Sequence, residues 1–196
     1  MFRSIATLGV CVTTVVNALN WSVTNEATNK TCVILDADSV DLFVKFTDIK
    51  SGMIQTYNTS IVTTLGVTGN CTDFYKGQAA QMLKVSFFPE GNDTPATSAQ
   101  PWDLVMVFGT EDKKFAFQLI DYWLETAPVP GKNASSVYKF TKSITNIDLQ
   151  GHENNAFKCS NTDFSLSNDS MIEMKNVRVI AFAQLDGDDF SKQQGK

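Results

Sequence analysis

The chain has few of the residues on which catalysis and metal binding usually depend. Its 196 residues include one histidine, His152, in the polar stretch LQGHENN. A zinc site needs three or four His, Cys or acidic ligands at workable spacing, and a Ser-His-Asp triad could use only His152. There is also no G-x-S-x-G motif and no glycine-rich phosphate loop. We therefore predict no catalytic residue, no metal site and no cofactor, with His152 in a surface loop.

Positive charge is in the minority. The chain has 16 Lys and Arg against 21 Asp and Glu, a formal net charge of −5, and no basic run. Nucleic acids are bound through clustered Lys and Arg, so we predict no nucleic-acid partner. The acidic run DGDD, residues 186–189, lacks the spacing and closing glutamate of a calcium loop, and we interpret it as a solvated turn. A carboxylate pair for glycoside hydrolysis stays open, because the scattered Asp and Glu single out no pair.

Long apolar runs are missing after the N-terminus. The chain opens MFRSIATLGVCVTTVVNALN, with Arg3 ahead of a mostly apolar run and a small-residue cleavage site ending at Ala18. This pattern predicts a secretory signal peptide over residues 1–18, the alternative being a buried N-terminal helix. Nothing downstream supplies the roughly 20 apolar residues of a transmembrane helix. Residues 19–196 are predicted to form one luminal domain.

Cysteine is scarce and its count is odd after cleavage. Of the four cysteines, Cys11 lies in the predicted signal peptide, which leaves Cys32, Cys71 and Cys159. Three cysteines in an exported protein indicate a free thiol, an intermolecular bridge or a missing segment of sequence. The residues alone leave these alternatives open.

Glycosylation sequons, in contrast, are abundant. Fourteen asparagines would give about two Asn-x-Ser/Thr sequons at average Ser and Thr content. The chain has seven, at Asn20, Asn29, Asn58, Asn70, Asn92, Asn133 and Asn168. We predict a heavily N-glycosylated protein of the secretory pathway. Asn20 lies almost at the mature N-terminus, and Asn70 precedes Cys71, where a disulfide that formed early would block modification.

Alternation of apolar and polar residues predicts strands. SVDLFVKF, KFAFQLIDYWL and MIEMKNVRVIAFAQL all show period two with β-branched and aromatic residues, which is typical of antiparallel strands with a buried face. The predicted faces are Val40, Leu42, Val44 and Phe46, then Phe115, Phe117, Leu119 and Trp123, then Ile172, Met174, Ile180 and Phe182. Val177 and Val179 are predicted on the opposite face from Ile180. Polar turns separate these runs, and the predicted fold is all-β.

Aromatic residues leave a second functional class open. Trp21, Trp102, Trp123 and fourteen phenylalanines could line the interior of a β-barrel that carries a small apolar ligand. At alternating strand positions, however, aromatic side chains are more often core. A sizeable apolar cavity would favour the secreted carrier, and an interior filled by side chains would not.

Several segments together resemble the luminal domain of the lysosome-associated membrane glycoproteins. They are NWSVTN, TCVILDADSVDLFVKF, GNCTDF, LKVSFFP, KFAFQLIDYWLE and, most specifically, NNAFKCSNTDFSLSNDSMIEMKNVRVIAFAQLDGDDF. The resemblance covers about Asn20 to Phe190 and implies a β-prism-like or sandwich-like antiparallel domain of long strands. It also implies a Cys32–Cys71 disulfide and a partner for Cys159 beyond the GDDF turn, at or after the end at Lys196. The family's transmembrane helix and sorting tail would follow later still.

The resemblance also implies a non-enzymatic function. Such a domain would be a glycosylated layer that protects or organises the lysosomal or endosomal membrane, or that sorts a membrane protein cargo. The partners expected are that cargo or a second copy of the chain. Membrane attachment would come only through a segment absent here, and the protein would be secreted if Lys196 is its natural end.

Overall fold

Strands of alternating residues form two antiparallel sheets of six strands each. In a computed structural model of the chain, the described residues are 18–89, 100–110, 117–127, 138–143, 149–151, 156–188 and 190. The strands are β1 (Leu19–Asn25), β2 (Lys30–Ala37), β3 (Ser39–Thr47), β4 (Ile54–Ser60), β5 (Gly66–Tyr75), β6 (Gln78–Phe87), β7 (Trp102–Gly109), β8 (Phe117–Thr126), β9 (Tyr138–Thr141), β10 (Gln150–Gly151), β11 (Phe157–Leu166) and β12 (Ser170–Ile180). The predicted all-β antiparallel fold with a disulfide is confirmed.

The first sheet is built around β12. One edge of β12 pairs with β11, and the other pairs with β2 and β3, which follow one another along it in a single register. Arg178 lies opposite Asp36, and Met174 lies opposite Val40. β1 then pairs with β2, and β4 pairs with β3. The sheet is therefore four strands wide, with β2 and β3 acting as one long, bent strand.

The second sheet runs in the order β5, β6, β7, β8, with both β9 and β10 on the far edge of β8. Its two opposite edges each meet the first sheet at a corner. At one corner, β5 lies beside β1, where a Cβ on Gly69 would collide with the Met82 carbonyl oxygen and with Val23 Cγ2. At the other, the Ser143 amide donates to the Ser165 carbonyl (3.0 Å). Glycine at position 69 is thus required first by the neighbouring backbone of β6 and then by Val23 of the first sheet.

The face of the first sheet that looks inward changes halfway along it. In β3 the buried residues are the even-numbered ones from Val40 to Phe46, and Tyr57, opposite Val44, packs on Trp102 of the second sheet. In β1, Val23 instead contacts β5 from the face it shares with Val33. The switch occurs where Asn176 adopts a left-handed φ of 49°. A residue in this left-handed conformation lies outside the extended β region, so the regular alternation of side chains is interrupted there.

This inversion corrects one prediction. Val177 and Val179 are both fully buried, although the sequence pattern placed them opposite the core face. Ile180, on the other face, is buried as well, and Phe190 returns over that face to lie against Arg178. The strand ends at Ile180, and the alternation does not extend to Phe182, which has a φ of 57°.

A bulge in β8 corrects a second prediction. The register between β7 and β8 shifts between Val107 and Phe108, so Ile120 has no partner of its own. Such an extra residue re-aims the side chains that follow it. Tyr122 therefore points into the core, and Trp123 lies on the outer face beside Ile120. Phe115, predicted on the same face, is outside the described residues.

Between the sheets, large side chains pack against each other. The most buried are Trp21, Trp102, Tyr122, Phe87, Phe108, Phe117, Phe140 and Phe164. Several meet edge to face, as Tyr122 and Phe164 do with ring centroids 5.3 Å apart. The predicted aromatic core is thus the interior of the sandwich.

Candidate functional site

The Cys32–Cys71 disulfide joins β2 of the first sheet to β5 of the second. The cysteines are 39 residues apart in sequence and their Cα atoms are 5.7 Å apart. The register between β1 and β2 shifts beside Cys32, where a bulge gives β2 the extra residue. The bond therefore closes the corner at which β1 and β5 approach each other.

A buried glutamine that the sequence pattern did not indicate supports this corner. Gln81 is 3% exposed; its Nε2 donates to the Cys71 carbonyl (2.9 Å), and its Oε1 accepts from the Phe182 amide (2.7 Å). One side chain thus satisfies backbone groups in β5 and in the segment after β12. Because Phe182 lies 101 residues away in sequence, no local signal could have revealed the contact.

Cys159 has no disulfide partner among the described residues. It lies in β11 opposite Val177, is half-buried, and its Sγ contacts the Asn161 carbonyl oxygen at 2.9 Å. Residues 191–196 are outside the described chain, so the expected partner beyond the chain end stays a prediction.

The five sequon asparagines that the structure describes are all exposed. Asn20, Asn58 and Asn70 lie within strands β1, β4 and β5, each of which has one neighbour in its sheet. Asn29 and Asn168 lie in the turns that end the β1–β2 and β11–β12 hairpins, both with positive φ. The other two sequons, Asn92 and Asn133, fall outside the described residues.

A polar row crosses the outer face of β1, β2 and β12. Asp36, 8% exposed, accepts from Asn20 Nδ2 (2.7 Å) on one oxygen and from the Arg178 guanidinium on the other. The chain reverses at Gly187, which has a φ of 100°, and returns so that the Phe190 ring lies 4.9 Å from the Arg178 guanidinium carbon. These contacts fasten the end of the described chain over the sheet.

Burial governs the titration of Asp36. Desolvation raises the pKa of its carboxyl above 3.8, although Arg178 and Asn20 pull it down. Both carboxylate oxygens are occupied by these neighbours. The group is therefore a structural anchor and not a free acid or base.

A second carboxylate cluster lies on the other sheet. Asp121 Oδ2 accepts from the Tyr75 hydroxyl (2.6 Å) and from Lys76 Nζ (2.8 Å). Burial alone would raise the pKa of Asp121, but the hydrogen bonds from Lys76 and Tyr75 outweigh it, and the net shift is downward. The cluster ties the β5–β6 hairpin to β8. Nearby, burial raises the pKa of Tyr122 to about 12, and its hydroxyl donates to the Ser165 carbonyl (2.7 Å).

Neither cluster resembles a metal centre. Within the described ranges, no three His, Cys, Asp or Glu side chains are grouped so that they could hold an ion. His152 lies outside those ranges. Over the same part of the chain, no helix has the length and apolar character needed to cross a membrane.

Two six-stranded antiparallel sheets joined by a disulfide define a sandwich-like class of domain. No protein-family model and no curated protein sequence matches the chain. Solved structures do match it. The membrane-proximal domain of mouse lysosome-associated membrane protein 1 (LAMP-1) is 19% identical over 85% of this chain and 88% of its own, with a TM-score of 0.63.

Two further structures agree. Human LAMP-3 is 16% identical over 87% of this chain and 94% of its own, with a TM-score of 0.60. The membrane-distal domain of mouse LAMP-2 is 15% identical over 86% of this chain and 93% of its own, with a TM-score of 0.58. The chain therefore has the fold of lysosome-associated membrane protein domains, and the resemblance seen in the sequence holds at the level of the fold.

Proposed function

We propose that the chain is a non-enzymatic, N-glycosylated luminal domain of the lysosome-associated membrane protein type. The likeness of its fold to domains of LAMP-1, LAMP-2 and LAMP-3 carries the proposal. The predicted signal peptide and the seven sequons support a route through the secretory pathway. On this proposal the domain acts as a stable coat on the lumen side of the lysosomal or endosomal membrane.

The distribution of the sequons supports a protective role. Three of the five described sequons lie where a β-domain is most open to proteases and to pairing with other chains: Asn58 on the outer strand β4, and Asn29 and Asn168 at hairpin ends. Asn20 and Asn70 are also exposed, on β1 and β5, which approach each other at the disulfide corner. An N-glycan is bulky and polar, so it would shield the backbone around it.

The interior supports this proposal over the alternative of a secreted carrier. The space between the sheets holds Trp21, Trp102, Tyr122 and five phenylalanines that are almost fully buried. A carrier of an apolar ligand would need that volume for its cargo. The two carboxylate clusters likewise hold segments together, with their oxygens engaged by neighbouring side chains.

The structural role would be either to line the membrane or to sort a partner. The partner we propose is either a membrane protein cargo, for the sorting role, or a second copy of the chain.

Expression in mammalian cells tests the proposal. We expect a glycosidase-sensitive mass increase, lysosomal co-localisation of the natural protein, and faster cleavage by acid proteases after the glycans are removed enzymatically. A protein that carries no sugar, or whose protease resistance is unchanged by removing it, would contradict the protective role. Alkaline carbonate extraction of the natural protein separates an anchored form, which stays in the pellet, from a secreted one.

A further inference from the structure

One sequon lies directly opposite an aromatic residue on the outer face of the first sheet. Asn58 in β4 pairs with Phe43 in β3, and Phe43 pairs with Met171 in β12. Residues directly opposite in antiparallel strands point to the same face, with Cβ atoms about 4.5–5.5 Å apart. We call Asn58, Phe43 and Met171 the Asn58 row.

The Asn58 row faces away from the second sheet. Leu42 and Val44, which flank Phe43 in β3, are fully buried against the core, so Phe43 points the other way. Phe43 and Met171 are half-buried, and Asn58 is exposed. The neighbours of Phe43 on the same face of β3 are the polar residues Asp41 and Lys45. Phe43 and Met171 thus form a small apolar strip that is still partly open to water.

We propose that the first sugars of an N-glycan on Asn58 lie across Phe43 and Met171. The C–H face of a pyranose ring is apolar and can stack on an aromatic ring, which removes apolar surface from water. The sugar is tethered to Asn58, so little translational freedom is lost when it packs. This inference rests on the proposed glycosylation and adds a structural role for one glycan.

A second strand sequon, at Asn70, also lies opposite an apolar residue. Asn70 in β5 lies opposite Met82, which lies opposite Val107, on the outer face of the second sheet. Met82 packs there on the cluster of Val107 with Ile120 and Trp123. A glycan on Asn70 would therefore also meet an apolar side chain.

The remaining described sequons have different surroundings. Asn20, in β1, lies opposite the carboxylate of Asp36. Asn29 and Asn168 lie in turns and have no cross-strand neighbour of this kind. Asn29 is a suitable control, because glycine can replace it at its φ of 53° without strain.

A double-mutant cycle on the secreted, glycosylated full chain tests the proposal. The proteins are the wild type, Asn58→Gln, Phe43→Thr and the double variant. We expect Asn58→Gln to lower Tm by about 2–4 °C when Phe43 is present. In the Phe43→Thr background it should lower Tm by less than about 1 °C. Threonine suits an exposed strand position, and Met171→Thr gives a second cycle if Phe43→Thr is not secreted.

Two controls isolate the sugar. Asn29→Gly should change Tm equally in both Phe43 backgrounds. The same cycle on protein made without N-glycans in the bacterial periplasm, where Asn58 stays an asparagine, should show no coupling between positions 58 and 43. Coupling that persists without sugar, or equal effects of Asn58→Gln in both glycosylated backgrounds, would overturn the proposal. Mass spectrometry separates the two levels: sugar elsewhere but not on Asn58 overturns this inference alone, and no sugar anywhere overturns the proposed function too.

Discussion

The first sheet has two halves, divided at Asp38 and Asn176, that bury different amounts of surface. In the open half, formed by β3, β4 and the first part of β12, one face packs on the second sheet and the other faces solvent. In the covered half, formed by β1, β2 and the rest of β12, the end of the described chain folds over the outer face. β2 is consequently buried at seven of its eight residues, whereas β3 alternates strictly over its first eight.

The difference shows what a strand's hydrophobic pattern reports. Alternation marks a strand with one solvated face, and a continuous apolar run marks one that is buried on both. The same β12 contributes to both halves. Its two ends differ because Asn176 inverts the inward face and because the chain returns over only one half.

Loss of the disulfide should have the largest effect, since it ties the covered half to the second sheet. Cys71→Ser opens a loop spanning 39 residues of sequence, for which loop-closure entropy gives about 4 kcal/mol. That is a large share of the stability of a typical domain. We expect poor secretion and a lower urea midpoint, measured by yield and by equilibrium unfolding.

Cys159→Ser is the matched control for this change. Cys159 is half-buried and has no disulfide within the described ranges. Its replacement should change stability by less than about 1 kcal/mol. Equal losses for the two variants would show that the thiol-to-hydroxyl change, and not the cross-link, determines stability.

Outer-face substitutions compare the two halves directly. Ile34 shares the outer face of the covered half with Asp36 and is fully buried, while Phe43 lies on the outer face of the open half. Ile34→Thr places a hydroxyl in an apolar site and should cost about 2–4 kcal/mol. Phe43→Thr, in protein without glycans, should cost less than about 1 kcal/mol. Urea unfolding of both variants measures the difference.

Similar losses from these two variants would mean that the end of the chain does not cover Ile34 in solution. Removal of the Phe190 ring, as Phe190→Ala, checks that reading independently. It should expose the covered half and lower stability. It should also bring the Ile34→Thr loss closer to that of Phe43→Thr.

In the open half, the inward faces of β3 and of the first part of β12 could be predicted from the sequence, whereas β4, with only Thr59 buried, was not. The alternation in SVDLFVKF gives the inward face of β3 correctly, because β3 packs on the core with one face only and is regular along its length. The Cys32–Cys71 pairing, in contrast, came from the resemblance to a known family, since spacing alone left several alternatives open.

The side chains predicted on the wrong face have local physical causes that a period-two pattern does not indicate. Asn176 takes a left-handed conformation and the bulge at Ile120 adds a residue, so Val177, Val179 and Trp123 were placed on the wrong face. The polar anchors were missed for another reason. Arg178 lies 142 residues from Asp36 in sequence, and such contacts leave no local signal.

The boundary between the halves can be tested at Asn176. Its left-handed φ of 49° is tolerated by Asn and Gly but costs other L-residues about 1–2 kcal/mol. Its Nδ2 also donates to Asp38 Oδ2 (2.6 Å) on an exposed surface. We expect Asn176→Ala to lose about 1–2 kcal/mol and Asn176→Gly to lose less. An alanine variant as stable as wild type would show that the face inversion does not depend on this residue.

The smallest expected effect concerns the response of the covered half to pH. The pKa of Asp36 is raised by burial, so the folded state holds its proton more tightly than the unfolded chain does. The contribution of Asp36 to the free energy of unfolding is therefore greatest in acid, and it falls as the pH rises above 3.8 through the folded pKa. A contribution that is greatest in acid suits a domain proposed to work in an acidic lumen. Asp36→Asn should remove this dependence of stability on pH.

Asp121, on the second sheet, should give a pH dependence of stability with the opposite sign. Its pKa is lowered on balance by the hydrogen bonds from Lys76 and Tyr75, which outweigh burial, so its contribution is present above pH 3.8 and is lost as pH falls through the lower folded pKa. Each effect should be below about 1 kcal/mol, since the basic partners Lys76 and Arg178 are both more than a third exposed. Urea midpoints of wild type, Asp36→Asn and Asp121→Asn between about pH 3 and 7 should therefore give difference curves of opposite slope. Curves of the same slope would mean that Arg178 outweighs burial at Asp36, so that a basic neighbour lowers the pKa of both carboxylates.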